Sequence, residues 1–397
     1  MKSYGALWEK ITSEENLYKA WRSVRKGHGN SASVLNYEKD LTNNISKLRE
    51  KLLLGTYEVS NYWQFKLYDP KPRVITCSSV VDRIVHHALC QIISSLLERE
   101  FVSVSFACRK GYGSHRACQL ARRYAGKSKY FCKMDIRKFF DNVKHEILLS
   151  ILLPKFREKE VRKLLTQIIT HPIPGQASGF GLPIGNLTSQ WFANTFLTQF
   201  DHQALSGFGK RKPCGYLRYM DDFCFFSNSK AEAWRLHDEA KQWLQENLSL
   251  EIKDEATTVA PTSEGVPFLG LRIWSNSWRF KRSRFLRTRE TYFKRLNQYF
   301  NGEITEESFS RCIASSDGSI RWFGFKNILK DLASEDVCSS GSNRVIRGGS
   351  YNNNASNCTA SNRNNHNPSN DNNNNGFRLV STMSEQTGFH SEMPVSQ

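Results

Sequence analysis

Residues 216–226 read YLRYMDDFCFF, with the adjacent carboxylates Asp221 and Asp222 between two runs of strand-forming side chains. Aromatic and aliphatic residues on both sides of a short polar break predict a β-hairpin with these acids at its tip. Two acids between apolar strands raise each other's pKa, and burial raises it further, so the arrangement is costly unless cations neutralise it. The pattern therefore indicates a site for two divalent metal ions; the alternative is a polar turn that happens to contain two aspartates.

The sequence on either side of this hairpin supplies further blocks. Residues 130–136 (YFCKMDI) predict a short strand with Asp135 at its end, and residues 179–186 predict a glycine-rich turn followed by the helix LTSQWFANTFLTQFDHQAL. Short strands are predicted near 250–252 and 266–274. Helical periodicity covers about 7–57, 80–98, 231–248 and 282–332. Because strands and helices do not alternate regularly, the sequence predicts an α+β fold rather than a doubly wound sheet.

Size, charge and cysteine content narrow the class of protein. A chain of 397 residues suggests two or three domains, and 56 Lys and Arg against 38 Asp and Glu give a net charge of +18, which favours a nucleic-acid partner. Ten scattered cysteines without a CxxC pair argue against a zinc site or a disulfide framework. The N-terminus lacks an apolar signal core, and no stretch approaches the ~20 apolar residues that span a bilayer. We therefore expect a cytoplasmic protein with no membrane partner.

Taken in chain order, Asp135, the glycine turn, Asp221-Asp222 and Phe268-Leu269-Gly270 resemble the palm of reverse transcriptases. The resemblance covers about residues 1–330, and the order and spacing of its blocks make it specific. It implies a right-hand polymerase. The expected divisions are N-terminal helices and fingers at 1–130, a palm with interleaved finger elements at 131–280, a helical thumb at 281–337 and an asparagine-rich, poorly ordered tail at 338–397.

The resemblance also implies which residues hold metal. In that family the strand-end aspartate and the first hairpin aspartate bind both ions, so Asp135, Asp221 and the backbone carbonyl of Ile136 are expected to hold two Mg²⁺, with Mn²⁺ as an alternative ion. Asp222 is expected to be a supporting acid. For Asp135 taken alone, a helix N-cap is the simpler structural role. Asp141 is expected to be a local structural residue of this kind.

Further residues match family positions that contact the incoming deoxynucleoside triphosphate. Phe140 lies where the family places a ring that collides with a 2′-hydroxyl, while Phe139 is expected to pack in the core. Lys71, Arg73 and Arg83 match finger positions that grip the triphosphate. A solvated basic loop is an equally good account of Lys71 and a poorer one of Arg73.

Two more segments match the family around the primer terminus. Lys253 stands where the family usually has a lysine that protonates the leaving pyrophosphate. Phe268, Leu269 and Gly270 would support the primer end as a primer grip. Template RNA, the RNA/cDNA duplex and deoxynucleoside triphosphates are the implied partners.

The glycine-turn block, LPIGNLTSQ at 182–190, departs from the common pattern of the family. Ile184 replaces the usual glutamine before Gly185, and Gln190 replaces a proline. This variant together with YMDD resembles the reverse transcriptases of diversity-generating retroelements, which copy a template RNA while misincorporating opposite adenines. A glutamine side chain can hydrogen-bond the nascent base pair and so select for its correct geometry, whereas a β-branched apolar side chain cannot. The same resemblance implies a small basic accessory protein as a partner.

The tail gives an independent indication of the same branch. Fourteen of the 33 residues at 343–375 are asparagine, and the flanks RGGS and GFRLV resemble the end of the C-type-lectin-like domains that such elements diversify. Asparagine codons are AAC and AAT. Random replacement of their adenines therefore gives codons for many amino acids and never a stop codon. We interpret the segment as a translated template repeat; the alternative is an ordinary polar linker or an aggregation-prone Asn-rich tract.

Other functions remain open at this point. A group II intron or retron enzyme of ordinary fidelity would share the palm. A catalytically silent nucleic-acid scaffold, or a binding protein whose active part is the lectin-like tail, are alternatives from other classes. All three carboxylates, Asp135, Asp221 and Asp222, are present, which counts against the silent scaffold.

Overall fold

The computed structural model describes residues 3–26, 31–68, 72–312, 314, 344–347 and 363–366. The chain divides into two compact units, Met1–Arg279 and Phe280–Gln397. The first contains both sheets and helices, so the prediction of mixed α and β structure is confirmed. The tail predicted at 338–397 lies outside the described residues, except for two short strands. That the tail is poorly ordered therefore stays a prediction.

The helices follow the predicted periodicity closely in most places. Their bounds are α1 Trp8–Thr12, α2 Glu14–Arg25, α3 Ala32–Glu38, α4 Leu41–Leu53, α5 Val80–Glu98, α6 Ser114–Lys127, α7 Phe139–Asn142, α8 His145–Leu152, α9 Lys159–Thr170, α10 Leu187–Phe196, α11 Thr198–Ser206, α12 Lys230–Leu248 and α13 Arg282–Phe300. Residues 306–312 are also helical.

The strands are short. Their bounds are β1 Trp63–Tyr68, β2 Pro72–Cys77, β3 Tyr130–Asp135, β4 Gly215–Tyr219, β5 Asp222–Ser227, β6 Thr258–Pro261, β7 Val266–Phe268, β8 Leu271–Ile273, β9 Trp278–Phe280, β10 Arg344–Arg347 and β11 Arg363–His366. They form a four-stranded sheet in the order β4-β5-β3-β6, a three-stranded sheet β7-β8-β9, and two-stranded pairs β1-β2 and β10-β11.

The four-stranded sheet is antiparallel, and its register decides which side chains share a face. In the β3–β5 pair, Asp135 lies opposite Asp222 and Lys133 opposite Cys224. In the β4–β5 pair, Tyr219 lies opposite Asp222. Since side chains alternate along a strand, Asp135, Asp222 and Lys133 share one face.

The opposite face of this sheet is covered by helices through an aromatic core. Phe200 of α11 lies 5.0 Å from the ring of Phe223 and 6.3 Å from the ring of Tyr216. Phe225 lies 5.0 Å from Tyr216, and all four residues are fully buried. Burial of aromatic area on this scale stabilises the sheet and holds the hairpin ends in place.

Helix α5 is the central helix of the first unit. It packs against α2 and α10, and Ile84, Leu89 and Ile93 have no exposed surface. By length and composition α5 is apolar enough to cross a membrane, which the sequence analysis did not expect, yet more than half of it is buried inside the protein. Burial of this kind is what a core helix of a folded domain shows.

The structure differs from the sequence predictions at several places. The helix predicted from Leu187 breaks into α10 and α11 at Leu197, and the strand predicted at 250–252 is reduced to a single bridge between Ile252 and Ile136. The predicted 266–274 strand segment is two strands joined by a tight turn. In the second unit α13 ends at Phe300, and the helix predicted up to 332 lies partly outside the described residues.

Candidate active site

The paired carboxylates lie at one end of the four-stranded sheet. Asp135 ends β3 and lies directly opposite Asp222, the first residue of β5. Met220 and Asp221 form the two-residue turn between β4 and β5. The backbone N–H of Ile136 donates to the carbonyl of Asp221 at 3.3 Å. The structure therefore brings together the three acids predicted from sequence.

Lys133 adds a cation that the sequence analysis did not single out. Its Nζ lies 2.9 Å from Oδ1 of Asp222, with 13% and 19% of the two side chains exposed. Burial alone would lower the pKa of Lys133, but the carboxylates of Asp222 and Asp135 outweigh it and raise that pKa. Lys133 thus contacts Asp222 directly, and its charge also acts on the Asp135 and Asp221 carboxylates.

Burial changes the acidity of the hairpin aspartates. It raises the pKa of Asp222 to about 6, with Lys133 opposing the rise. It also raises the pKa of Asp221, and the neighbouring Asp135 carboxylate raises it further. The pKa values of both aspartates are raised because carboxylates lie close together and are partly removed from water. A bound cation would stabilise their charged forms.

The donor set fits a magnesium site completed by substrate. Among the described residues no group of three or more His, Cys, Asp or Glu side chains is arranged to hold a metal ion. Mg²⁺ is commonly bound by one or two carboxylates together with substrate phosphates and water, rather than by a protein cage. Asp135 and Asp221 provide those two carboxylates on neighbouring elements, and the carbonyl of Ile136 belongs to the same strand end.

Lys253 is attached to the site through its backbone. Its N–H donates to the carbonyl of Asp135 at 2.8 Å, next to the bridge between Ile252 and Ile136. Its ammonium group lowers the pKa of the exposed Glu255 carboxyl, a weaker cause than the backbone hydrogen bond and Arg137. The backbone of Lys253 therefore lies beside Asp135, while the role in protonating pyrophosphate stays a prediction.

The β1–β2 hairpin brings a cation toward the carboxylates. Arg73 of β2 is exposed and lies close enough to Asp221 to lower the pKa of that carboxyl, against the larger effect of burial. Arg83 of α5 is half-buried, and its buried Nε has no hydrogen-bond partner within the described residues. Lys71 lies outside the described residues. Among the described residues, Arg73 is therefore a predicted triphosphate contact whose charge acts on Asp221.

The glycine-turn block is joined to the edge of β2. The carbonyl of Ile184 accepts a hydrogen bond from the N–H of Thr76 at 2.8 Å. Gly185 has φ of +129°, and a Cβ there would lie 2.5 Å from the carbonyl oxygen of Thr76. Only glycine tolerates both conditions. Ile184 itself is half-buried, and Gln190 is exposed on the first turn of α10.

Asn186 holds the glycine-turn block in place through buried polar contacts. Its Oδ1 accepts from the hydroxyl of Ser78 at 2.5 Å, and its Nδ2 donates to the hydroxyl of Tyr62 at 3.3 Å. All three side chains are at least nine-tenths buried. The turn containing Ile184 is thus fixed to the two residues that flank the β1–β2 hairpin at its base, Tyr62 and Ser78, a connection that sequence spacing could not reveal.

Phe140 lies on the other side of the same block. Its carbonyl accepts from the N–H of Leu182 at 2.7 Å, and its side chain is half-buried. Phe139 is 2% exposed and its ring lies 6.4 Å from that of Phe196, so it packs in the core as expected. Asp141 accepts from Nε2 of Gln176 at 2.9 Å, in keeping with a local structural role.

The predicted primer grip is the turn between β7 and β8. Leu269 and Gly270 both have positive φ, at +47° and +79°, between the paired residues Phe268 and Leu271. This backbone matches a tight hairpin turn of the primed type. Phe268 has no exposed surface, while Leu269 and Gly270 are partly exposed. The role of the three residues as a primer grip stays a prediction.

Comparisons with known proteins show which families the chain resembles. The family profile described as "Reverse transcriptase (RNA-dependent DNA polymerase)" matches residues 68–273, and the profile described as "Sulfatase-modifying factor enzyme 1-like domain" matches residues 303–383. The second match overlaps the asparagine-rich segment. The lectin-like resemblance of the tail stays a prediction.

Two curated relatives are similar over more than half of the chain. Protein YkfC of Escherichia coli is 24% identical over 283 residues, which cover 61% of this chain and 74% of that protein. Group II intron-encoded protein LtrA of Lactococcus lactis subsp. cremoris is 23% identical over 298 residues, covering 58% of this chain. The match spans only about half, 49%, of LtrA.

A solved structure of apo telomerase from Candida tropicalis covers 58% of this chain and 59% of that one, with 12% identity and a TM-score of 0.41. The reverse transcriptase profile includes Arg73, Asp135, Ile184 and both hairpin aspartates, and it matches more than half of the sequence. The chain belongs to the reverse transcriptase family.

Proposed function

We propose that this protein is an RNA-directed DNA polymerase whose catalytic acids are Asp135 and Asp221. The observation that carries the proposal is the register of β3 and β5, which places Asp135 opposite Asp222 beside the turn that bears Asp221. In the proposed right-hand arrangement, residues 1–130 contribute fingers, 131–280 the palm and 281–337 the thumb. The basic composition of the chain supports binding of the template RNA and of the RNA/cDNA duplex.

The chemistry divides among the residues already placed. Two bound Mg²⁺ ions would supply Lewis-acid stabilisation of the charge that develops during attack of a primer 3′-hydroxyl on the α-phosphorus. Asp135 and Asp221 would hold these ions, with the carbonyl of Ile136 as a further ligand. Arg73 would bind the triphosphate as a charged donor, and Phe140 would exclude nucleotides with a 2′-hydroxyl.

We further propose that the enzyme copies a template-repeat RNA with adenine-directed infidelity, for diversification of a target gene. Ile184 supports this because an apolar β-branched side chain lies in the turn where most of the family has glutamine. The asparagine-rich segment at 343–375 supports it independently, through its codons. A cytoplasmic location and a small basic accessory protein complete this proposal.

An enzyme of ordinary fidelity, of the group II intron or retron type, is the second candidate. The similarity to the group II intron-encoded protein LtrA favours it. The two candidates predict different products from one template, since only the first predicts errors confined to template adenines. They share the acids, the metal ions and the polymerisation chemistry.

Sequencing of extension products separates the candidates. The purified protein would extend a DNA primer on an RNA template that contains all four bases, with Mg²⁺ and deoxynucleoside triphosphates. We expect errors concentrated opposite adenine, and fewer such errors with Ile184→Gln, because the amide restores a hydrogen bond at the nascent pair. Thr188→Ser, a change within α10 of the same block, is the matched control. Accurate copying by the parent enzyme would support the second candidate instead.

A further inference from the structure

The turn that carries Asp221 is held in an unfavourable backbone conformation. Met220, its first residue, has φ of +59°. This is the left-handed region, which glycine adopts readily and methionine does not. In two-residue hairpin turns a first position with positive φ is usually glycine, asparagine or aspartate, and not methionine. Other contacts must therefore stabilise the turn in this shape.

Arg218 supplies such a contact from within the sheet. Its Nη1 donates to the carbonyl of Met220 at 2.9 Å. The guanidinium also binds Asp201 of α11 through two hydrogen bonds, from Nε at 2.7 Å and from Nη2 at 2.6 Å. Arg218 has no exposed surface and Asp201 is 1% exposed. The bidentate pair fixes the plane of the guanidinium, and that plane directs Nη1 at the turn.

Two neighbouring side chains complete the cluster. The hydroxyl of Tyr216 donates to Oδ1 of Asp201 at 2.7 Å, and Nη1 of Arg218 lies 3.3 Å from Oδ1 of Asn194 on α10. The backbone of Arg218 is held as well, because its N–H donates to Val104 and its carbonyl accepts from Phe106, both at 3.0 Å. The position of the guanidinium is therefore set by two helices and by the 104–106 segment.

The cluster lies on the face of the sheet opposite the acids. Arg218 and Tyr216 alternate with Tyr219, which faces the same side as Asp222. The Arg218 side chain therefore does not contact the carboxylates proposed to bind metal. It acts on them through the backbone carbonyl of Met220. Buried ion pairs are a poor source of stability compared with apolar replacements, so a positional role is the better account of this one.

We infer that Arg218, held by Asp201, is a positioning residue that sets the Met220 carbonyl and so the placement of the Asp221 carboxylate for metal binding. The inference deepens the proposed function and rests on it. A turn that relaxes by about an ångström would move Asp221 away from Asp135, and misplacement of that size can cost about 100-fold in rate. Binding of the triphosphate would change little, because Arg73 and Ile184 lie outside the cluster.

The double variant Arg218→Met/Asp201→Leu tests this inference. It removes both charges together and so avoids an unpaired buried ion. We expect a folded protein with kcat lowered by about 10- to 100-fold, KM for deoxynucleotides nearly unchanged, and the Mn²⁺ concentration for half-saturation raised by about tenfold. Mn²⁺ binding is measured by the loss of the free-ion electron paramagnetic resonance signal, which requires no activity.

A second variant and a control keep the test independent of folding. Arg218→Lys retains a cation opposite Asp201 but lacks the planar fork, so we expect the same direction of change. Lys155→Met/Glu100→Gln removes another ion pair, in which Lys155 is buried and Glu100 is 34% exposed, away from the hairpin, and should leave Mn²⁺ affinity unchanged. Parent-like Mn²⁺ affinity and kcat in either folded Arg218 variant would overturn the inference. A parent that binds Mn²⁺ but extends no primer would instead refute the proposed function.

Discussion

Replacement of Gly185 by alanine probes the contact between the glycine turn and the β1–β2 hairpin. A Cβ at Gly185 would lie 2.5 Å from the carbonyl oxygen of Thr76 and 3.3 Å from Cγ2 of Ile75. The first neighbour is backbone and cannot rotate away. The backbone at φ of +129° adds strain for any side chain. The turn must therefore shift, and Ile184 must shift with it.

The expected cost follows from these two terms. Strain of a non-glycine residue in a sparsely populated backbone region costs about 1–3 kcal/mol. Overpacking against fixed atoms costs roughly another 1–3 kcal/mol. From strain and overpacking together we expect Gly185→Ala to lower the free energy of unfolding by about 3 kcal/mol.

Urea denaturation followed by tryptophan fluorescence measures this cost, and steady-state extension gives KM for deoxynucleotides. Gly209→Ala is the control, because Gly209 has φ of +76° and no atom within 4 Å of its added Cβ. Because Gly209→Ala adds backbone strain alone, we expect it to lower the free energy of unfolding by about 1 kcal/mol and to leave KM for deoxynucleotides unchanged. Equal losses in the two variants, with KM unchanged in both, would refute the proposed contact.

Three further outcomes follow from the structure. His86 is fully buried, both ring nitrogens lack partners among the described residues, and burial lowers its pKa from 6.5 to about 4. As the pH is lowered, His86 therefore binds a proton in the unfolded chain before it does so in the folded protein. The free energy of unfolding thus decreases as the pH falls from 6.5 to about 4. His86→Leu should remove up to roughly 3 kcal/mol of that fall in urea titrations, and an identical pH profile would contradict this. Phe140→Ala should raise ribonucleotide incorporation by at least about tenfold relative to deoxynucleotides, and unchanged sugar selection in competition assays would exclude the ring as the gate. Arg73→Met should raise KM for deoxynucleotides by about tenfold with partial rescue by Arg73→Lys, while a variant with unchanged KM would remove Arg73 from the triphosphate contact.

Much of the site could be predicted because its parts are local. The hairpin at 216–226 is indicated by strand-forming residues around two acids, and Asp135 by the end of an apolar strand. Spacing and residue type place each acid at a strand end or a hairpin tip before any folding is considered. The pairing of Asp135 with Asp222 also needs the two strands to be antiparallel neighbours in this register.

The remaining features depend on register and on distant contacts. Lys133 pairs with Asp222 because it lies diagonally across two strands, and a slip of one residue would send it to the other face. Arg218 looks like a surface cation in sequence, since its partner Asp201 is 17 positions earlier on a helix. The break at Leu197 likewise follows from tertiary packing, because the apolar period runs through it without interruption.

The central claim is that the carboxylates at the ends of β3 and β5 catalyse RNA-templated DNA synthesis. The most direct measurement compares primer extension on an RNA template by the parent enzyme and by Asp221→Asn, which keeps the shape of the side chain and removes its charge. The account predicts Mg²⁺-dependent extension by the parent and loss of at least about 100-fold in kcat for the variant, with unchanged binding of the primer–template duplex. Extension by Asp221→Asn at the parent rate would contradict it.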